Sequence, residues 1–231
     1  MKRFYKQAGV APVADGHGVT VDDRLVMTPG KRDLVVPSAA LAAAIAAEWD
    51  AQQGEIRRET MPLTRLAGAT IDRNSTEHDA VVRQVAHYAG TDLVCYRAAH
   101  PPALAARQQM VWQPLIDWAS ARYGAPLTVT TGVIPARQPL ASLAAFASVV
   151  AGCDDFALTA LHTATTAGGS LVIALALLEG RLDAGAAFAA SQLDESFQIE
   201  AWGEDKEQAE RRGALAADIA AAARLISLLG G

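Results

Sequence analysis

Cysteine is scarce in this chain: of 231 residues only Cys95 and Cys153 carry thiols. They lie far apart and outside any C-x-x-C pattern, which excludes a disulfide framework and a structural zinc site as organising devices. Aromatic residues are also few, at 6% against a 51% hydrophobic fraction dominated by alanine. That balance favours tightly packed helices over aromatic-rich sheets. Positive charge is in short supply too, the formal net charge being -5 with no basic stripe. Nucleic-acid binding needs a basic surface and is excluded. Long apolar runs are missing: a membrane span takes roughly 20 mostly apolar residues, and the run Leu171 to Leu178 is far shorter. No period of about 20 to 50 residues repeats, so the chain is not a solenoid. The first residues, MKRFYKQAGV, show neither the apolar core of a secretion signal nor an Arg/Ser-rich transit stretch, and residence in a bacterial cytoplasm is expected.

What remains is a chain long enough for one large domain, or for a large and a small one. From Lys2 to Pro37 brief apolar runs are separated by Asp15-Gly16, Asp22-Asp23 and Pro29-Gly30, which predicts short antiparallel strands with a hairpin at Asp22-Asp23. Pro37-Ser38 punctuates the change of texture. Ser38 is a suitable N-cap for a helix that buries Leu41, Ile45 and Trp49. Further helices are expected from Pro62 to Asp72, from Ser75 to Tyr88, and from Pro101-Pro102 to Arg122 with Leu104, Val111, Leu115 and Trp118 on one face. Others should run from Leu140 to Val150, from Asp183 to Trp202, and through a tail from Glu204 to Leu229. Thr91 to Arg97 and Leu127 to Val133 have strand-like composition, though a turn suits the first almost as well. The architecture read from this is α+β: a small N-terminal antiparallel β domain over 1–37 followed by a larger all-α domain over 38–231.

The stretch Asp155 to Leu182 organises the rest. Ala160, Ala164, Ala167 and Gly168 form a small-residue face that lets other helices approach closely. Leu171 to Leu178 then supply about two turns of fully buried helix, and the pair reads as a central buried hairpin. Two chemical readings of this stretch compete with packing. The turn Gly168-Gly169-Ser170 could cradle a phosphate through free amides, but no lysine follows it as the P-loop pattern requires. His162 beside Thr163 and Thr165, with Asp154 or Asp155 as orienter, suggests a nucleophile. Adjacent helical residues point in different directions, however, and no G-x-S-x-G elbow is present. His78, His87 and His100 are too scattered for a metal site. A small-molecule enzyme with a pocket near His162 and the Gly168-Gly169 turn is the alternative reading.

A set of ordered blocks points elsewhere: KRFYK, LAAAIAAEWDAQ, MPLTRLAGATIDR, YAGTDLVCYRA, LTALHTATTAGGSLVIALALLEGRL and SQLDESFQIEAWGED. From Lys2 to about Asp205 the chain resembles the ATP synthase assembly factor family that chaperones the alpha subunit of the catalytic head. The resemblance implies a non-enzymatic chaperone without a cofactor or bound nucleotide. It would hold unassembled alpha subunits until beta subunits replace it. It also implies a functionally important acid in the helix around LDESFQI, which either Asp194 or Glu195 could supply, and it marks Glu48-Trp49-Asp50 as characteristic.

The residues can be weighed for themselves. If residues 183–202 are one helix, Phe188, Glu195, Ile199 and Trp202 share a face. A carboxylate amid apolar side chains is costly unless paired. Glu195 is therefore either paired internally, with Arg65, Arg73 or Arg97, or kept available for a partner. Candidate partner-binding residues are Glu195, Asp194, Glu48 and Trp202. Trp49, Gly168, Gly169 and His162 are candidate structural residues. The acids from Glu204 to Glu210 read as a solvated face.

Overall fold

The computed structural model describes residues 1–73, 77–132 and 134–230. The chain forms two compact units: Met1–His78 with Asp155–Ala160 and Arg224–Gly231, and Asp79–Asp154 with Leu161–Ala223. A small antiparallel sheet followed by many helices is the α+β architecture expected. The expected boundary at residue 37 lies inside the first unit.

In the first unit, β1 (Ala8–Val13) pairs with β2 (Gly16–Val21) along its whole length. At its far end β2 pairs with β3 (Arg24–Leu25), and at its near end with β4 (Val35–Val36), all antiparallel. The β2–β3 turn is the one predicted, with Asp22 and Asp23 both at positive φ, 45° and 63°. Two consecutive left-handed residues match the twist of a tight hairpin, and aspartate tolerates that conformation. At Gly16, φ is +141° and an added Cβ would sit 2.5 Å from the Val36 carbonyl oxygen, so only glycine lets β4 close onto β2.

A sheet this small is marginal alone. Helix α1 (Ala39–Asp50) packs on β1, β2 and β4, and its Leu41 and Ile45 are fully buried, as are Val19, Leu34 and Val36 of the sheet region. Ser38 caps it as expected, accepting from the Leu41 amide at 3.0 Å, while its hydroxyl donates to the Leu228 carbonyl. Trp49 departs from expectation: it is half-buried, tilted against Tyr5, with its indole N–H enclosed and without a hydrogen-bond partner among the described residues. The four-residue step carries it to the rim of the sheet-covering face, beyond Leu41 and Ile45. Helix α2 (Pro62–Arg73) follows. Its Asp72 accepts from Thr28 Oγ1 at 2.5 Å and the Gly30 amide at 2.8 Å, which pins the loop between β3 and β4.

The expected helix start at Ser75 lies outside the described residues; α3 runs His78–His87 and ends in a 3₁₀ turn, Tyr88–Gly90. In the second unit, Leu93–Cys95 is a further 3₁₀ turn leading into β5 (Tyr96–Arg97). The strand expected over 127–133 shortens to β6 (Thr130–Thr131), parallel to β5, and Val133 lies outside the described residues. Helix α4 (Pro102–Tyr123) buries Leu104, Gln108, Trp112, Leu115 and Ala119. Val111 and Trp118 are only half-buried, so the face is rotated from the one predicted. Trp112 decides the rotation: its ring is fully buried and its Nε1 donates to the Ala190 carbonyl at 2.8 Å, as a buried indole requires.

Helices α5 (Leu140–Ala151), α6 (Asp155–Gly168) and α7 (Leu171–Leu178) come next. The first six residues of α6 belong to the first unit and the remainder to the second. Leu171 to Leu177 are all buried, the core expected of them. Between α6 and α7, Gly169 takes φ +67°, and a Cβ on Gly168 would meet Ser191 Cβ at 3.4 Å. The remaining helices are α8 (Ala184–Ser191), α9 (Leu193–Trp202) and α10 (Lys206–Leu229).

Candidate partner-binding surface

The helix expected from Asp183 to Trp202 is broken at Gln192, whose φ -107° and ψ 23° leave the helical region. Two bonds account for the break. The Ala190 carbonyl, which an unbroken helix would offer to the Asp194 amide, accepts from Trp112, and the Ser191 hydroxyl donates back to the Phe188 carbonyl at 2.9 Å. Phe188 therefore belongs to α8 and does not continue the face of Glu195 on α9. Asp183 caps α8 by accepting from the Ala186 amide at 2.7 Å.

The two adjacent acids in the first turn of α9 have different fates. Asp194 Oδ1 accepts from Gln108 Nε2 at 2.7 Å, and Gln108 Oε1 accepts from the Ala98 amide at 2.7 Å. Burial raises the Asp194 pKa, opposed by the Gln108 hydrogen bond, reinforced by the neighbouring charge of Glu195 and opposed again by Arg97. Asp194 thus latches α9 to α4. Glu195, half-buried, has no hydrogen bond or ion pair among the described residues. Of the partners expected for it, Arg97 lies in the same unit and instead donates to the Val94 carbonyl and lies over the Trp112 ring.

Further along α9, Glu200 takes a bidentate pair from Arg107 at 2.7 and 2.9 Å, and the same guanidinium lies over Phe197. Trp202 ends the helix 81% exposed, just before Gly203 at φ +83°. A groove of about 420 Å³ opens between α4, α8 and the start of α9. Val111, Leu115, Leu182, Ala186 and Leu193 line it, with Arg107 and Ser196 at its edges. From α10, Arg212 donates to Ser196 Oγ at 3.2 Å, pairs with Glu204 at 3.4 Å and lies over Phe188.

The other predicted residues do not line this groove. Glu48 is 8% exposed, and its carboxylate accepts from the Leu63 amide, the Thr64 amide and the Thr64 hydroxyl, each at 2.8 Å. It caps α2 from α1, so the interface role expected of it gives way to an internal one: the free N–H groups of a helix start attract a carboxylate. The phosphate cradle considered at Gly168-Gly169-Ser170 is likewise filled from within. Asp92 accepts from Ser170 Oγ at 2.5 Å and the Val172 amide at 3.0 Å, and Ser170 in turn accepts from the Ile173 amide. Complete burial pushes the Asp92 pKa up to about 6 against these hydrogen bonds. Asp155, considered as a partner for His162, instead meets His78 Nδ1 at 2.8 Å. His162 is half-buried on α6, where its main-chain carbonyl accepts from Thr166. Among the described residues no three His, Cys, Asp or Glu side chains are grouped to hold a metal, and no helix is long and apolar enough to cross a membrane.

Sequence reasoning missed Gln108, Trp112 and Asp92. The bonds that tie them to α7, α8 and α9 span 78 to 86 residues; the one signal at short range is at Asp92, which caps the Leu93–Cys95 turn by accepting from the Val94 amide.

A family model described as ATP12 chaperone protein matches residues 2–120, just over half the chain. The chain belongs to the ATP12 chaperone family. Its similarity to solved ATP12 structures extends over its whole length. The crystal structure of Atp12 from Paracoccus denitrificans is 42% identical, covering 99% of this chain and 98% of that one, with a TM-score of 0.94. An aspartate-to-lysine variant of the Paracoccus protein matches equally well. A protein of Agrobacterium tumefaciens, proposed to be a chaperone, is 41% identical over 99% of this chain and 86% of its own, also at 0.94. Among curated relatives, the mitochondrial atp12 protein of Schizosaccharomyces pombe is 22% identical over 214 residues, 87% of this chain and 74% of that protein. ATP12 membership thus rests on both sequence and fold.

Proposed function

We propose that this ATP12-family chaperone acts in ATP synthase assembly as a holdase for the unassembled alpha subunit of the catalytic head. It works without catalysis or a cofactor, in the cytoplasm, and is displaced when the beta subunit arrives. The observation that carries the reading is on α9: a Trp exposed over four-fifths of its surface shares one short helix with a carboxylate that has no partner among the described residues, and Leu193 and Ser196 of the same helix line an apolar groove. An exposed large aromatic anchor and an apolar recess on one helix are the components of a binding hot spot. Glu195 is the carboxylate assigned to the partner, because Asp194 is engaged by Gln108.

The physics of a holdase fits this composition. A ring subunit awaiting its neighbours exposes apolar interface, which aggregates unless covered. A cover that uses no nucleotide must leave by competition, so it binds the same face more weakly than the authentic neighbour. Against a phosphate at the α6–α7 turn, Asp92 already accepts from the Ser170 hydroxyl and the Val172 amide there.

Pull-down with immobilised chaperone tests the proposal. Free alpha subunit is retained and the assembled head is not, and added beta subunit releases the retained alpha. Equal retention of free and assembled alpha, or capture of a different protein in preference to alpha, overturns it.

A further inference from the structure

The first unit contains a second recess, of about 310 Å³, between α1, α2 and the sheet loops. Its composition is unusual for this chain. Three of the protein's four methionines, Met1, Met27 and Met61, line it together with Trp49. Met61 is buried, whereas Met1 is 69% and Met27 58% exposed. Thioether side chains are unbranched and polarisable, and they adapt to apolar groups of varied shape, which is why they recur at surfaces that accept more than one peptide. Leaving two of them in water beside an enclosed apolar floor is a cost that a bound apolar group would relieve.

The rim is equally distinct. Arg58, Arg65 and Arg73 border the recess, against one acid, Asp72. Asp72 is committed to Thr28 and Gly30. Arg58 and Arg73 are exposed and have no ion pair among the described residues. A protein of net charge -5 therefore presents a local cationic edge around an apolar floor. Such an edge favours acidic partners and disfavours basic ones.

We infer that this recess is a peptide-binding site for a client segment in which a bulky apolar side chain is flanked by acidic residues. The apolar side chain enters among Met1, Met27 and Met61, and the flanking carboxylates meet Arg58 and Arg73. The volume lies at the small end of ligand-sized cavities, which suits one or two side chains of an extended segment rather than a folded element. The inference concerns the first unit alone and does not depend on the identity of the client bound by α9.

The fourth methionine provides the control. Met110, on α4 in the second unit, is 71% exposed and lines no part of this recess. The full chain is labelled with 13C at the methionine methyls and titrated with the capped peptide Glu-Glu-Leu-Phe-Glu-Glu, its counterpart Lys-Lys-Leu-Phe-Lys-Lys, and decanoate. The acidic peptide shifts the Met1, Met27 and Met61 methyls in saturable fashion and leaves Met110 unmoved. The basic peptide binds at least about tenfold more weakly, and Arg58→Glu with Arg73→Glu, both exposed and so compatible with folding, reverses that preference. Equal shifts at Met110, equal affinity for the two peptides, no shift at all, or tighter binding of decanoate than of the acidic peptide would each overturn the inference.

Discussion

The acids at the starts of α7 and α9, both in the second unit, are used in opposite ways. At α7 the buried Asp92 accepts from Ser170 and the Val172 amide and has nothing left to offer. At α9 the first turn holds two acids, one latched to Gln108 and the other, Glu195, with no partner among the described residues. A helix start always attracts negative charge. The lesson is that a carboxylate there becomes a candidate for recognition only when the fold has not already used it. Glu48 at the start of α2, in the first unit, belongs with Asp92.

The largest effects should come from emptying the spent sites. Glu48→Ala strips the acceptor from two enclosed amides and a hydroxyl, and loss of such bonds costs about 1–3 kcal/mol per stranded group. A total near 3 kcal/mol is expected in urea unfolding, with Glu48→Gln retaining part of it. A loss under about 1 kcal/mol would place Glu48 back among surface residues and break the comparison.

Next comes the pH dependence of Asp92. Its folded pKa of about 6 is above the ordinary carboxylate value of 3.8. Between those two values the folded state holds a proton that the unfolded state has released, so this group's contribution is full below about 3.8 and is lost as pH rises through about 6. A shift of that size corresponds to ~3 kcal/mol as an upper bound. Asp92→Asn removes the titration. The wild type should therefore lose stability relative to Asp92→Asn between pH 4 and pH 7, and parallel profiles would show that burial does not set the Asp92 pKa.

Glu195→Lys and Trp202→Ala test the other side. Each should leave the urea midpoint nearly unchanged while weakening alpha-subunit binding about tenfold or more, since an exposed Trp at a contact is a common hot spot. Lost stability with Glu195→Lys would show that this acid, too, is used by the fold.

How much of this was legible beforehand depends on the range of the bonds. The Asp22-Asp23 turn and the Ser38 cap were readable because their partners are neighbours in sequence, and the buried run Leu171 to Leu177 because it is apolar throughout. The break at Gln192 was not, because no Gly or Pro marks it. Its cause, the Trp112 indole on the Ala190 carbonyl, comes from 78 residues away. Trp49 kept its helical step but was assigned too deep a place, since periodicity gives a direction and not a depth. Of the candidate surface, Asp194, Glu195 and Trp202 were named from sequence. The groove was not, because it is assembled from α4, the residues after α7, α8 and the start of α9.

The smallest expected effect sharpens what holds α9 in place. Arg107 and Glu200 make a well-formed bidentate pair, yet both side chains are substantially exposed, at 39% and 57%. Exposed pairs are screened by salt and spend side-chain entropy on their geometry. Arg107→Ala should thus lower the melting temperature only slightly, and the difference from wild type should vanish in 1 M salt. Gln108→Ala, by contrast, strips Asp194 and the Ala98 amide of partners in a partly buried setting, and its cost should persist in salt. If the order were reversed, α9 would be held by surface charge, and Glu195 would sit in a network of ions rather than beside an apolar groove.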